Sequence, residues 1–349
     1  MFRAGLGAAV AALTTLGTVV AGTVPAHADA GDTTVTATTQ KTIPLPGVGG
    51  HGDVVVADPD AHRVYVAQSP DNNVVVIDTR TQRVEAIIGN VPSANGIAYS
   101  RDYLFVSEAP TNQIAVISKH TWKVIAKVDA GGKTPDAIYY DSRDHTVFVA
   151  NDDSNNMESF SATAPFKVLG SIPLQPSNPK TGPDLGTYVR ETNTIYQADD
   201  NNVLVIDAAT RKIKKVFSLS LPAGAVAKDM FYDHERDVLW VGTSAAEILA
   251  INPTTGSVLA NVATASGMDQ ISGDERRRLL YLGETKAGVM GVVDLDTFTS
   301  LANVKTESGT HTLDALPHTD LVYVYRNVSN VVDVVKVDVK HREDDQDRG

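Results

Sequence analysis

The sequence predicts an all-β fold, a seven-bladed β-propeller in which every blade is a four-stranded sheet. A β-rich hairpin with an aromatic residue at a fixed place in its first strand occurs seven times, at spacings of 40 to 48 residues, which is the period of a propeller blade. Short β-branched runs alternate with turns rich in Asp, Asn, Ser and Gly. The repeated aromatic residues are Tyr65, Phe105, Phe148, Tyr196, Trp240, Tyr281 and Tyr323.

Each repeat is interpreted as four strands, named a to d from the channel outwards. In blade 3, strand a is predicted over Asp136 to Tyr140, strand b over Val147 to Ala150 and strand c over Met157 to Ser161. Stacked blades cover the inner strands on both sides, which explains their continuous apolar runs. The repeated aromatic residue in strand b is therefore expected to pack between neighbouring blades.

The last repeat is short of one strand. Around Tyr323 only three strands can be found, whereas Thr34 to Leu45 alternates and carries β-branched residues. This N-terminal segment is predicted to complete the last blade and close the ring, since closure removes exposed sheet edges. The propeller is expected to span residues 31–340 as a single domain.

The two ends of the chain differ from the repeats. Arg3, a charge-free Ala/Gly/Thr/Val run and the small residues around Ala28 predict a signal peptide over residues 1–30, and hence a secreted or periplasmic protein. No later segment is apolar enough to span a membrane, so stable membrane insertion after cleavage is not expected. Residues 341–349 are predicted to form a disordered acidic tail.

Charge and cysteine content exclude several classes of function. The formal net charge is −12, which disfavours nucleic acid as a partner because phosphate binding needs a basic surface. The chain contains no cysteine, which excludes disulfides, thiolate metal ligands and cysteine nucleophiles.

The phrases VYVA around Tyr65, VFVAN around Phe148 and VVVIDTRTQRV after Asn73 resemble the YVTN-repeat family of seven-bladed propellers, which includes the YncE-like exported bacterial proteins. The resemblance covers residues 35 to 340 and implies an exported binding or structural module. Relatives include heavy subunits of periplasmic amine dehydrogenases, lactonases of the same architecture, and proteins associated with single-stranded DNA. The acidic balance of this chain argues against the last of these roles.

Polar residues recur at the start of strand a, near one mouth of the central channel. Twelve residues before the repeated aromatic residue, or ten or eleven in two blades, the sequence has a carboxylate, a carboxamide or an imidazole. These residues are Asp53, Asn95, Asp136, Asp184, Asp229, Asp269 and His311. Converging carboxylates repel one another unless cations or hydrogen bonds offset them, so the sequence predicts a ligand-binding or cation-binding mouth.

Ring closure would bring His311 of blade 7 towards His51 and Asp53 of blade 1, with Asp269 one blade further. Two imidazoles with one or two carboxylates suit a divalent transition-metal ion. The sequence establishes no cofactor. A divalent metal ion is the cofactor that these residues could bind. The alternative is that the Asp and Asn side chains cap turns at the start of strand a and accept backbone N–H bonds.

A second polar set follows strand b on the same face, and it is either a ligand-binding rim or a set of solvated loops. Its members are Gln68, Glu108, Asn151, Asp199, Thr243, Glu284 and Arg326. Of these, Gln68, Asn151 and Arg326 are assigned to ligand binding beside the channel-mouth residues Asn95, Asp136, Asp184 and Asp229.

The leading functional hypothesis is an exported, noncatalytic propeller that binds a small molecule, peptide or protein partner at the channel mouth. The alternative is a metal-assisted hydrolase, lactonase or isomerase at the seam between blades 7 and 1. In that case Glu108 or Glu284 is the candidate catalytic acid or base.

Overall fold

The computed structural model describes residues 33–174 and 182–341. The predicted signal peptide and residues 342–349 of the predicted tail lie outside these ranges. The described residues form 28 β-strands and two short 3-10 turns, Ala109–Thr111 and Glu275–Arg277, with no α-helix among them. No helix in these ranges is long and apolar enough to cross a membrane.

The strands form seven four-stranded antiparallel sheets, which confirms the predicted fold. Blades 1 to 3 consist of β2 (Val55–Asp58), β3 (Arg63–Gln68), β4 (Asn73–Asp78), β5 (Arg83–Gly89), β6 (Ala94–Tyr99), β7 (Tyr103–Glu108), β8 (Gln113–Ser118), β9 (Lys123–Asp129), β10 (Pro135–Asp141), β11 (Thr146–Asn151), β12 (Asn156–Ser161) and β13 (Val168–Pro173).

The remaining blades follow the same order from strand a to strand d. Blades 4 to 6 consist of β14 (Pro183–Val189), β15 (Thr194–Asp199), β16 (Asn202–Asp207), β17 (Lys212–Ser218), β18 (Ala227–Asp233), β19 (Val238–Thr243), β20 (Glu247–Ile251), β21 (Val258–Ala263), β22 (Met268–Asp274), β23 (Leu279–Glu284), β24 (Val289–Asp294) and β25 (Thr299–Lys305). Blade 7 consists of β26 (Thr312–Ala315), β27 (Leu321–Arg326), β28 (Val331–His341) and the N-terminal strand β1 (Thr33–Pro44).

The N-terminal strand closes the ring, as the sequence predicts. Strand β1 pairs antiparallel with β28 from Thr33 opposite His341 to Pro44 opposite Val331. The two ends of the described chain therefore share one sheet, and blade 7 becomes the neighbour of blade 1. Residues of both blades pack together in one buried cluster that includes Val55, Tyr323 and Tyr325.

The repeated aromatic residues of strand b lie in the core. All seven are at most 5% exposed, and they pack in the apolar layers between neighbouring blades. Burying a large aromatic side chain stabilises the fold by roughly 1.5–3 kcal/mol, so the seven rings stabilise the contacts between blades.

The outermost strands have interrupted edges. In every blade the ladder between the two outer strands contains a register shift, for example between Val76 and Ile77 in blade 1 and between Thr39 and Lys41 in blade 7. A β-bulge bends and twists an edge strand, which hinders pairing with the edge of another molecule.

Candidate functional site at the channel mouth

The register of strands a and b places one polar residue of each blade at the same depth in the channel. Each ring residue lies three positions before the residue of strand a that is paired with the repeated aromatic residue, as in the pair Tyr139–Phe148 of blade 3. By this criterion the ring consists of Asp53, Asn95, Asp136, Asp184, Lys228, Asp269 and His311.

A β-bulge directs most of these side chains. In blades 2 to 6 the ladder between strands a and b shifts register at this point, for example between Pro135 and Ile138. The bulge inserts an extra residue into strand a, which re-aims a side chain that regular alternation would send elsewhere. Asn95 belongs to the ring although it precedes Phe105 by only ten residues, because the turn between strands a and b is shorter in blade 2.

Lys228 occupies the ring position of blade 5, and the sequence interpretation missed it by one residue in favour of Asp229. It lies twelve residues before Trp240, so strict counting would have identified it. The Asp229 carboxylate instead accepts hydrogen bonds from the backbone N–H groups of Met230, at 2.7 Å, and Ile271, at 2.9 Å. Asp229 is therefore bonded within the sheets rather than displayed at the mouth.

Several ring residues enclose a small polar cavity, here called the acidic basin. Its volume is about 270 Å³, and its lining residues are Asp53, Asp136, Asp152, Asp184, Leu185, Lys228 and Asp269. Among the described residues, five carboxylates therefore face a single ammonium group in this cavity. The sequence-predicted convergence of Asp53, Asp136, Asp184 and Asp269 is present in the structure.

Charge within the basin is only partly balanced. The ammonium of Lys228 lies 2.6 Å from the Asp184 carboxylate and 3.5 Å from that of Asp269. Burial raises the pKa of Asp184 to about 6, although Lys228 opposes the shift. Burial and the charges of Asp53 and Asp184 raise the pKa of Asp136 well above its ordinary value. The basin thus favours any further cation that can reach it.

His51, Asp53 and His311 form a second group, here called the seam site because it joins blades 7 and 1. One ligand atom from each residue lies within 4.8 Å of the others. His51 Nε2 is 3.2 Å from Asp53 Oδ1, and the two imidazole rings stack with centroids 5.2 Å apart. The hydrogen bond to Asp53 raises the pKa of His51.

His311 presents a nitrogen lone pair to the seam site. Its Nδ1 lies 2.7 Å from the carbonyl oxygen of Gly309, and since a carbonyl can only accept, Nδ1 carries the proton. Nε2 is then an acceptor, yet it is buried without a hydrogen-bond partner among the described residues, in a side chain that belongs to a residue only 4% exposed. A backbone-oriented imidazole with a free Nε2 is the arrangement found in metal-binding histidines.

Asp269, the fourth predicted metal ligand, lies beside the seam site. Its Oδ2 is 3.9 Å from His311 Nε2, while its Oδ1 faces Lys228. Asp269 therefore connects the seam site to the acidic basin, and it could bind an ion directly only by shifting towards His311.

The three predicted rim residues have partners within the protein. Gln68 is fully buried and donates to Asn330 Oδ1 at 2.7 Å. Asn151 is also fully buried and donates to the Ala130 carbonyl at 2.8 Å. Arg326 is bound to Asp333 at 2.8 Å. These contacts indicate that the three side chains hold loops together.

The predicted acid–base candidates lie apart from the residues that line the acidic basin. Glu108 is fully buried and paired with Lys127 and Thr111. Glu284 is also fully buried, and burial raises its pKa to about 7. Neither contributes to the seam site. Among the described carboxylates outside the site, the one that lies close to a seam-site imidazole is Asp269.

The fold and the channel mouth define a single-ring propeller with a polar, acidic opening. A family model described as a YncE-like beta-propeller matches residues 8–320. The chain therefore belongs to the YncE-like β-propeller family, which confirms the resemblance seen in the sequence. No curated protein matches the chain significantly.

Solved structures with the same architecture include two from very different proteins. One is a hydrazine synthase of Kuenenia stuttgartiensis, with a TM-score of 0.71 and 15% identity, covering 85% of this chain and 97% of the other. Another is the β-propeller domain of Cps50 (Swd1) from Myceliophteria thermophila, with a TM-score of 0.72 and 12% identity, covering 86% and 99%. At these identities the likeness shows the fold alone.

Proposed function

We propose that this protein is an exported binding module that holds a divalent transition-metal ion at the seam site, through His51, Asp53 and His311, and uses the ion to bind a ligand over the channel mouth. The observation that carries the proposal is the unpartnered Nε2 of the buried His311, next to a second imidazole and a carboxylate. Two nitrogens and one oxygen suit zinc, cobalt or a similar ion better than calcium or magnesium. The signal-peptide-like N-terminal sequence supports export.

Exposure of the site agrees with ligand binding. The His51 side chain is 55% exposed and Asp53 is 22% exposed, so solvent and solutes can reach an ion held between them. Three protein ligands leave at least one coordination position of a tetrahedral ion for water or for a ligand group. Because metal binding requires neutral imidazole, affinity falls once His51 becomes protonated.

The test is titration of the metal-free mature protein with Co²⁺, whose visible absorption reports nitrogen and oxygen coordination. One equivalent is expected to bind, and His311→Ala or Asp53→Ala is expected to weaken binding at least tenfold. His120→Ala is the matched control, because His120 forms a surface pair with Asp102 at 3.2 Å, the same distance as His51 to Asp53. Absence of stoichiometric binding, or equal loss in the control, would overturn the proposal.

A metal-assisted hydrolase, lactonase or isomerase is the second candidate function. It is favoured by the carboxylate of Asp269, which lies close to the seam site and could accept a proton from water bound to the ion. Its test is hydrolysis of simple lactones and aryl esters by the zinc-loaded protein, compared with Asp53→Ala and with Asp269→Asn. Hydrolysis that survives both substitutions would exclude the seam site as its source.

A further inference from the structure

The channel contains a second cavity, larger than the acidic basin and on the other side of the ring. It has a volume of about 950 Å³ and opens among turns between strands a and b, at Asp60, Ser100 and Ser142. It is here called the turn-side cavity. It adjoins the acidic basin, since Leu185 lines both. Ligand pockets of proteins commonly have volumes of roughly 300–1,000 Å³.

Just over half of the wall is apolar, and this part comes mainly from strand a of successive blades. Its apolar members include Val56, Ile138, Leu185, Met230, Phe231 and Ile271. The ring of Phe231 packs directly against Gly273 of the neighbouring blade. The contact is so close that a Cβ at Gly273 would lie only 2.1 to 2.4 Å from three atoms of the ring. The wall therefore presents a fixed aromatic surface to whatever occupies the cavity.

An aromatic ring at the rim already contacts a cation. The ammonium of Lys119 lies 5.1 Å from the centre of the Tyr99 ring, within the range of a cation–π interaction. Lys119 also donates to Asp58 Oδ2 at 2.5 Å and to the Ser100 carbonyl at 3.0 Å, and its side chain is only 9% exposed. Its charge is therefore neutralised inside the wall.

The remaining charge of the turn-side cavity is negative. Four aspartates line it, Asp58, Asp60, Asp229 and Asp314, against the two basic residues Lys119 and Arg101. Asp58 is paired with Lys119 and burial raises the pKa of Asp229 well above its ordinary value, so the excess negative charge comes from Asp60 and Asp314. In the described ranges, the adjoining acidic basin adds five more carboxylates and one ammonium. A low-dielectric channel lined mainly by one sign of charge concentrates ions of the opposite sign, so anionic ligands are repelled from both cavities.

Asp314 is the lining carboxylate of blade 7. It accepts hydrogen bonds from Ser272 Oγ at 2.5 Å and from the backbone N–H of Ala57 at 2.8 Å. These bonds fix its orientation, and each carboxylate oxygen has a further lone pair. Asp314 is thus an oriented carboxylate in the same cavity as the ring of Phe231. Burial raises its pKa to about 6, so it is mostly ionised at neutral pH.

We infer that the turn-side cavity binds an organic cation, an ammonium group carried on an apolar or aromatic body. The ammonium group of the ligand lies near Asp314, and its apolar or aromatic body packs against the part of the wall that includes Phe231. A neutral molecule of the same shape gains only the apolar contact, whereas the cation also gains the attraction of the carboxylates and of the aromatic face. The inference does not depend on metal binding at the seam site.

The probe is benzylammonium, and its neutral counterpart is benzyl alcohol, which has the same ring and nearly the same size. Met230 lines the cavity and is one of five methionines in the chain, so ¹³C-methyl labelling of methionine reports binding there. Benzylammonium is expected to shift the Met230 methyl signal saturably and to bind at least tenfold more tightly than benzyl alcohol.

Two substitutions test the two halves of the site. Asp314→Asn is expected to remove most of the preference for the cation, and Phe231→Leu is expected to weaken both probes. Asp320→Asn is the control, since Asp320 lies in blade 7 outside the cavity and pairs with Lys336 at the surface. Thermal unfolding verifies that each variant folds; if Asp314→Asn does not fold, the comparison of the two probes and Phe231→Leu still decide.

Equal affinity for the two probes would overturn the inference, as would the absence of any saturable shift of Met230. Shifts confined to Met268, which precedes Asp269 of the acidic basin, would also overturn it, because they would place the cation in the basin instead.

Discussion

The substitution Gly52→Ala tests whether close packing beneath the seam site holds its ligands in place. Gly52 lies between His51 and Asp53, and a Cβ there would be 2.0 Å from Tyr325 Cε1 and 2.6 Å from Cδ1. Nonbonded carbon atoms prefer a separation of about 3.5 Å or more, so the ring or the loop must move by roughly 1.5 Å. Tyr325 cannot move freely, because it is fully buried and its hydroxyl donates to Asn330 at 3.0 Å.

Overpacking of this kind costs about 1–3 kcal/mol of the free energy of unfolding. At about 2–4 °C per kcal/mol for a large domain, the melting temperature should fall by about 2–12 °C. Because the loop carries His51 and Asp53, Co²⁺ affinity should also fall, by about 10–100-fold if the effect resembles loss of a residue that orients a ligand.

Thermal unfolding followed by circular dichroism and Co²⁺ titration measure the two effects. Gly89→Ala is the matched control, since a Cβ at Gly89 would meet no atom within 4 Å. If Gly52→Ala melts and binds Co²⁺ like the control, then contact with Tyr325 does not position the seam site, and the packing argument is refuted.

Three further predictions concern the basin, a buried acid and ring closure. Lys228→Met removes the ammonium beside Asp184, so the pKa of Asp184 should rise above its present value of about 6. Carboxyl ¹³C NMR measures this pKa, and an Asp184 titration identical to that of the parent protein would contradict the prediction. Burial raises the pKa of Glu284 from 4.5 to about 7. The stability contributed by the protonated Glu284 side chain is complete below pH 4.5 and is lost as the pH rises through 7. Glu284→Gln should therefore be more stable than the parent at pH 8, by on the order of 3 kcal/mol, and no more stable at pH 4.5. Urea unfolding at the two pH values measures this difference, and a pH-independent difference would contradict the assignment. Deleting residues 33–44 leaves β28 without its partner β1, so melting should occur at a lower temperature and the protein should self-associate through the open edge; a monomer with unchanged melting would show that closure is not needed.

The architecture could be predicted almost completely from the sequence. The aromatic residue of strand b recurs because each blade must fill the same space between its neighbours, and a repeated packing requirement leaves a repeated residue type. Ring closure followed from the incomplete last repeat together with the β-branched N-terminal segment. Closure in turn placed His311 beside His51 and Asp53, which the structure brings within 4.8 Å of one another.

Individual side chains at the mouth were harder to place, because a bulge changes which residue faces the channel. For blade 5 the sequence interpretation chose the acidic neighbour Asp229, whereas the register places Lys228 at the ring position and directs Asp229 to backbone N–H groups. Polarity alone likewise suggested that Gln68 and Asn151 bind a ligand, but in the structure both are fully buried and bonded to protein groups.

The sequence by itself determined the number of blades, their common core and the strand that closes the ring, since these depend on patterns repeated along the chain. Only the tertiary structure decided that Asp152 and Lys228 join the predicted aspartates in the acidic basin and that a larger cavity lies on the turn side. Both depend on side chains from several blades converging at the axis, where a one-residue change of register exchanges an acid for a base.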